Sequence, residues 1–302
     1  MNPARGIVLK LFAVILFMTM TSLIKATADA APPGEQIFFR SFFALPVVIG
    51  YLIVTGDLRS GLKAVSRTDH LIRGLVGVFA MSLAFFAIGH LSLPEVVAIF
   101  FAMPIFMTIF AALFLKERIR AYRIGAVLLG ITGVGLITWP RFAAAESTSD
   151  LAALAAGAAL LAAIAAALAQ VWVARMTKRE TTTAITFWFA ILCTTLSALT
   201  APFGWSMPSA VDFAFLVMAG VLGGWAQILM TTAYRYAEAS VVAPFDYAQI
   251  VFALIIGYFI FNETPTPIML IGAALTIAAG LIIIWRERVR ASPSPERVRP
   301  YV

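Results

Sequence analysis

The sequence predicts an all-α integral membrane protein of ten transmembrane helices, arranged as two five-helix inverted-topology repeats. Three observations carry that prediction. Apolar residues make up 62% of the 302 and charged residues only 12%, with a mean hydropathy of +0.95, far outside the range of water-soluble domains. Apolar runs of about 20 residues, the length that crosses about 30 Å of hydrocarbon as a helix, follow one another with very short gaps. Finally, the second half of the chain repeats features of the first at an offset of about 146 residues.

The runs lie at 7–27, 35–55, 71–91, 95–115, 119–139, 151–174, 182–203, 211–234, 240–260 and 266–285. Turn-rich breaks divide them, among them APPGEQ at 31–36, SLPE at 92–95, FGWSMPSA at 203–210 and NETPTP at 262–267. The first run has a basic start and a small-residue end, ATADAA, like a secretory signal. It is long for one, and removing it would leave the sixth span without its counterpart. Residues 1–140 are thus read as the first repeat, 141–150 as a periplasmic linker, 151–285 as the second repeat and 286–302 as a basic cytoplasmic tail.

Lysine and arginine assign the faces. With a cytoplasmic amino terminus, 19 of the 22 basic residues fall on the inner side, leaving Lys25, Arg40 and Arg141 on or near the outer one. Both termini are then cytoplasmic. The net charge of +7 is accounted for by topology and an anionic inner leaflet, so it does not call for nucleic acid as a partner.

The repeat is sparse but ordered. AIGHLSLPEVVAIFFAMPIFMTIFAALFLKE (87–117) lies beside AYRYAEASVVAPFDYAQIVFALIIGYFIFNE (233–263), bringing Glu117 onto Glu263. Gly74 and Gly77 match Gly220 and Gly223, Gly56 matches Gly204, Gly125 and Gly133 match Gly272 and Gly280, and Trp139 matches Trp285. A unit with an odd number of spans must invert on repetition, as in secondary transporters whose substrate site lies near the midplane between halves.

The proline and final glutamate of AMPIFMTIFAALFLKERIRAYRIGAVLLGITGVGLI (102–137), with the glycine-spaced span after them and its counterpart in ALIIGYFIFNETPTPIMLIGAALTIAAGLIII (253–284), resemble the EamA-type members of the drug/metabolite transporter superfamily. The resemblance covers residues 7–285 and is greatest to bacterial amino acid exporters. It implies efflux of aromatic and other amino acids across the inner membrane. Ile250 departs from it, standing where many relatives carry a proline matching Pro104, and Gln249 stands where an acid is common.

A polar group inside a span is costly unless it faces protein or a wet cavity, so each is a candidate for the site. Asp246, two turns into the ninth span on this reading, is suited to proton coupling or to an amine, or else to a structural pair with Arg235 or Tyr234. Aromatic rings and amides suit an amphiphilic amino acid. Phe79, Ser82, Phe86 and Met103 from the first half, and Gln170, Trp188, Gln227, Tyr234 and Tyr247 from the second, are the expected substrate-binding set. Gln227 and Tyr234, seven apart, share a helix face. His90 reads as an interfacial histidine, and Arg40, which could hold a substrate carboxylate, reads rather as an outer-rim ion pair or a snorkelling side chain. Glu117 and Glu263 are expected to close hairpins and cap the next helix, and the glycines of spans five and ten to permit close helix contact. Pro94, Pro104 and Pro244 are expected hinges.

One cysteine permits no internal disulfide, and two histidines give no metal-ligand spacing. No metal or cofactor is expected, and no phosphate loop that would couple transport to ATP occurs. The expected function is export of amino acids, aromatic and other neutral ones, by alternating access, with small-molecule substrate and lipid bilayer as partners. Export of cationic drugs or nucleoside-like metabolites is the alternative within transport. An integral membrane enzyme would require clustered His, Asp or Glu, which the chain lacks.

Overall fold

In a computed structural model, the protein is described over residues 3–56, 58–114, 121–143, 150–176, 179–236, 245–246 and 248–291. Every regular element among them is helical: α1 (Pro3–Ala26), α2 (Pro33–Thr55), the single turn α3 (Leu58–Gly61), α4 (Arg67–His90), α5 (Leu93–Phe100), α6 (Met103–Phe114), α7 (Ala121–Ala143), α8 (Asp150–Met176), α9 (Thr182–Ala198), α10 (Ala210–Tyr236), α11 (Ala248–Phe261) and α12 (Pro267–Ala291). Five contain long apolar membrane-spanning segments, and five shorter apolar stretches supply the remainder, the fourth span being α5 and α6 together. The chain is a multi-pass membrane protein. We call the face where α1 begins proximal and the face where it ends distal.

Local sequence sets the ends of these helices. Ser66 caps α4 by accepting the Asp69 N–H, and Ser92 and Glu95 form a reciprocal capping box on α5. Gly56 ends α2 in the left-handed conformation (φ 72°), and its counterpart Gly204 after α9 is likewise at positive φ (100°). The fourth span is broken at Phe101–Ala102, and Pro104, the second residue of α6, cannot donate the N–H a continuous helix would need there.

Packing repeats with inverted symmetry. The pairing of α1 with α10 recurs as α8 with α4, and that of α2 with α10 recurs as α9 with α4. The pairings of α2 with α9 and of α7 with α12 are each their own image. Most large interfaces therefore join one half to the other. Small residues allow them. Ala155, Ala156, Ala159, Ala162, Ala163 and Ala167 of α8 are fully buried, and a Cβ on Gly133 would lie 2.6 Å from the Gly272 carbonyl oxygen, so α7 and α12 touch backbone to backbone. The matched pairs Gly74/Gly77 and Gly220/Gly223 do the same work twice, the first under Leu192 and Phe189 of α9, the second under Phe43, Arg40 and Met20.

Glu117, Pro244, Tyr247, the centre of the 141–150 linker and the tail from 292 lie outside the described residues.

Candidate substrate pathway and its closures

The basic residues drawn into the bundle stand in three places, one at each face and one between. At the distal face, Lys25 at the end of α1 pairs with Glu263 (Nζ–Oε1 2.8 Å) and donates to the backbone carbonyls of Ile88 and Leu91 at the end of α4. Glu263 Oε2 accepts the Leu93 N–H at 2.7 Å. One carboxylate of the second half thereby holds α1 and the α4–α5 corner of the first. The expectation that Glu263 caps the next helix is corrected. Its backbone N–H closes α11 on the Gly257 carbonyl, whereas α12 is capped by Thr266, leaving the side chain free to cross the seam.

At the proximal face, Lys10 of α1, wholly buried, pairs with Asp246 at 2.7 Å, and Gln249 lies 3.5 Å from the same oxygen. Asp246 precedes α11 rather than sitting two turns inside it, and it pairs with Lys10; the side chains of Tyr234 and Arg235 lie outside the described set. The sequence reading counted Lys10 among charges marking the inner side. The overlooked signal was its position inside the first span, where a cation needs a counter-charge. A second tie stands nearby. Glu180 accepts the Val65 and Ser66 N–H groups, both at 2.8 Å, and its Oε1 lies 3.2 Å from His70 Nε2. Ser66, Asp69, Arg175, Met176, Arg179 and Glu180 line a cleft at this face.

Between the faces stand Arg40 of α2 and Arg73 of α4. Each lies about 10 Å along a helix that starts from an opposite face, so their long side chains reach toward mid-depth. Arg73 stacks on Phe189 (3.9 Å from guanidinium carbon to ring centroid), and Arg40 Nη1 lies 3.7 Å from the Met81 sulfur. Arg40 Nε and Arg73 Nε and Nη1 are buried without a hydrogen-bond partner. Among the described residues no carboxylate pairs with either side chain, which corrects the expectation of an outer-rim ion pair for Arg40.

The expected binding set is dispersed. Phe79 is 55% exposed in a stripe with Leu71 and Leu75, an outward-facing surface. Ser82 turns back onto the Val78 carbonyl, and Phe86 stacks on His90, whose Nδ1 is 2.7 Å from the Phe86 carbonyl oxygen. Trp188 donates to the Leu62 carbonyl at 3.0 Å and so fastens the α3–α4 linker. Met103 is half-buried beside Ala102, Val134 and Ala163. Gln170 and Gln227 are half-buried in α8 and α10; Tyr234 is in α10, its side chain outside the described set. Pro94 opens α5 and packs against Gly257.

The comparisons agree with this architecture. The model of the EamA-like transporter family matches twice, over residues 4–139 and 153–285. A pseudopaline exporter, CntI, of Pseudomonas aeruginosa (strain UCBPP-PA14) is 30% identical, covering 92% of this chain and 93% of its own. An S-adenosylmethionine uptake transporter of Rickettsia bellii is 28% identical over 84% of each. Human solute carrier family 35 member G1 is 30% identical over 96% of this chain and 81% of its own. A solved crystal structure at 19% identity superposes with a TM-score of 0.67 over 95% of this chain and 99% of that one, showing the shared fold. Two matched repeats, ten spans that interlock with inverted symmetry, and relatives along nearly the whole length place the chain in the EamA-like transporter family.

Proposed function

We propose that this protein is a secondary carrier of the bacterial inner membrane, with both termini cytoplasmic, that exports amino acids by alternating access of a cavity between its halves. The observation that carries the reading is the pair of closures on one seam. Lys25–Glu263 and Lys10–Asp246 link the same two helical regions, around α1 and α11, near opposite faces, with Arg40, Arg73 and Phe189 between them. Releasing one closure while keeping the other would expose the interior to one side at a time. The distribution of basic residues supports the orientation. On this reading 141–150 is periplasmic, the tail from 286 is cytoplasmic, and the chain is no enzyme.

The named relatives include an exporter and an uptake transporter, so direction is a matter for measurement. An amino acid offers a carboxylate to a guanidinium and, where aromatic, a ring to Phe189. A cationic drug would meet two uncompensated positive charges at mid-depth, which weighs against that alternative. Counterflow of labelled phenylalanine and tryptophan into proteoliposomes tests the reading. Saturable flux accelerated by internal unlabelled substrate is the expected result; non-saturable flux would indicate a passive channel, and no flux of any amino acid would remove the substrate class.

A further inference from the structure

From these two half-buried arginines, whose inner nitrogens find no hydrogen-bond partner, we infer that the carried solute bears at least two carboxylates, which Arg40 and Arg73 bind at mid-depth. The inference rests on the carrier reading above and refines its substrate. Inside a bilayer an ionisable side chain is stable only where it meets a counter-charge or water. The bundle respects this elsewhere, matching Lys10 with Asp246 and Lys25 with Glu263. At Arg40 and Arg73 it does not. Three of their nitrogens are buried without a hydrogen-bond partner, and their other contacts are soft ones, the Phe189 ring and the Met81 sulfur.

Two cations reaching toward mid-depth, neither paired with an acid among the described residues, form a site whose counter-charge would arrive with the ligand. A zwitterionic amino acid brings one carboxylate but also an ammonium group, leaving the double positive charge unrelieved. A second carboxylate halves it, giving each guanidinium its own anionic partner. The walls suit an organic acid better than an inorganic anion. The Phe189 ring, seated over Gly77 and against Arg73, supplies an apolar face beside the charge. The location is also right for a transported ligand: α2 and α4 of the first half meet α9 and α10 of the second there.

The experiment compares phenylalanine with N-(carboxymethyl)phenylalanine, which keeps the ring and amine and adds a carboxylate. Counterflow in proteoliposomes and equilibrium binding to the purified protein are measured for the parent, Arg40→Gln, Arg73→Gln and the conservative Arg40→Lys, each required to be monodisperse. The parent is expected to prefer the dicarboxylate at least about tenfold, the value of one charge-assisted hydrogen bond. Each glutamine variant should lose about tenfold or more for the dicarboxylate and much less for phenylalanine, with Arg40→Lys recovering part of the loss. Equal or better handling of phenylalanine by the parent, or undiminished dicarboxylate binding in both glutamine variants, would overturn the inference while leaving the carrier intact. Arginine-dependent dicarboxylate binding without flux of either compound would uphold the site and overturn the carrier reading instead; absence of dicarboxylate binding to the parent overturns the site.

Discussion

The two halves share their glycines and differ in their charges. Gly74 and Gly77 on α4 admit α9 just as Gly220 and Gly223 on α10 admit α2, and Gly56 and Gly204 adopt the same unusual backbone. At the same offset, Arg40 and Arg73 face Thr186 and Ala219, and Lys10 and Lys25 face Ala156 and Val171. The first helix of one repeat is tied by two ion pairs, while its image in the other is an alanine-rich helix packed tightly against α4. What repeats is what interlocked helices require geometrically. What does not repeat is charge, which on the proposed carrier reading a single asymmetric ligand and a closure at either face would need only once.

Removing a charge from the unrepeated set should do the most harm. Glu263→Ala leaves the half-buried Lys25 with carbonyl acceptors but no counter-ion, and the Leu93 N–H without its acceptor, and should cost about 2–3 kcal/mol, read as a fall in thermal stability and in flux. The exchanged pair Lys25→Glu with Glu263→Lys should regain only part, since a lysine at 263 cannot accept the Leu93 N–H.

Within the shared set the glycines themselves divide. Gly133→Ala pushes a methyl group onto the Gly272 backbone and should cost about 1–3 kcal/mol, whereas Gly125→Ala, with nothing within 4 Å of the added carbon, should be neutral or slightly stabilising. Comparing the two by thermal unfolding separates true contact glycines from glycines that merely recur. Trp188→Phe, which removes one hydrogen bond to the Leu62 carbonyl, should cost about 1 kcal/mol. Phe79→Leu, on the outward stripe, should change stability by less than about 0.5 kcal/mol and leave flux as it was.

These contrasts also show what was legible in the chain. Spans, inversion and contact glycines follow from composition and a fixed offset, because hydrophobic length and small-residue packing are local properties. Helix Trp139 and its counterpart Trp285, both exposed, follow the same offset. Partnerships between helices were not legible. Lys10, Arg73 and Glu263 were read as a marker of the inner side, another such marker and a hairpin cap, because a linear pattern does not reveal which long side chain crosses to which neighbour. His70 and Glu180 sit 110 residues apart in sequence yet 3.2 Å apart in the fold, and nothing in either local context announces the other. The break before Pro104 was legible as a proline; its exact place at Phe101–Ala102 reflects the packing of α5 against α8 and α11.

The central claim is that the seam between α1 and the α11–α12 hairpin opens at the distal face during each transport cycle. Lys25→Cys and Glu263→Cys, combined with Cys193→Ser and bridged by a short bis-methanethiosulfonate reagent, would hold that face shut. The reduced counterflow that the uncross-linked double-cysteine protein retains should vanish on cross-linking and return when the bridge is reduced, with each single-cysteine variant insensitive to the reagent. Flux that continues undiminished in fully cross-linked protein would contradict the account.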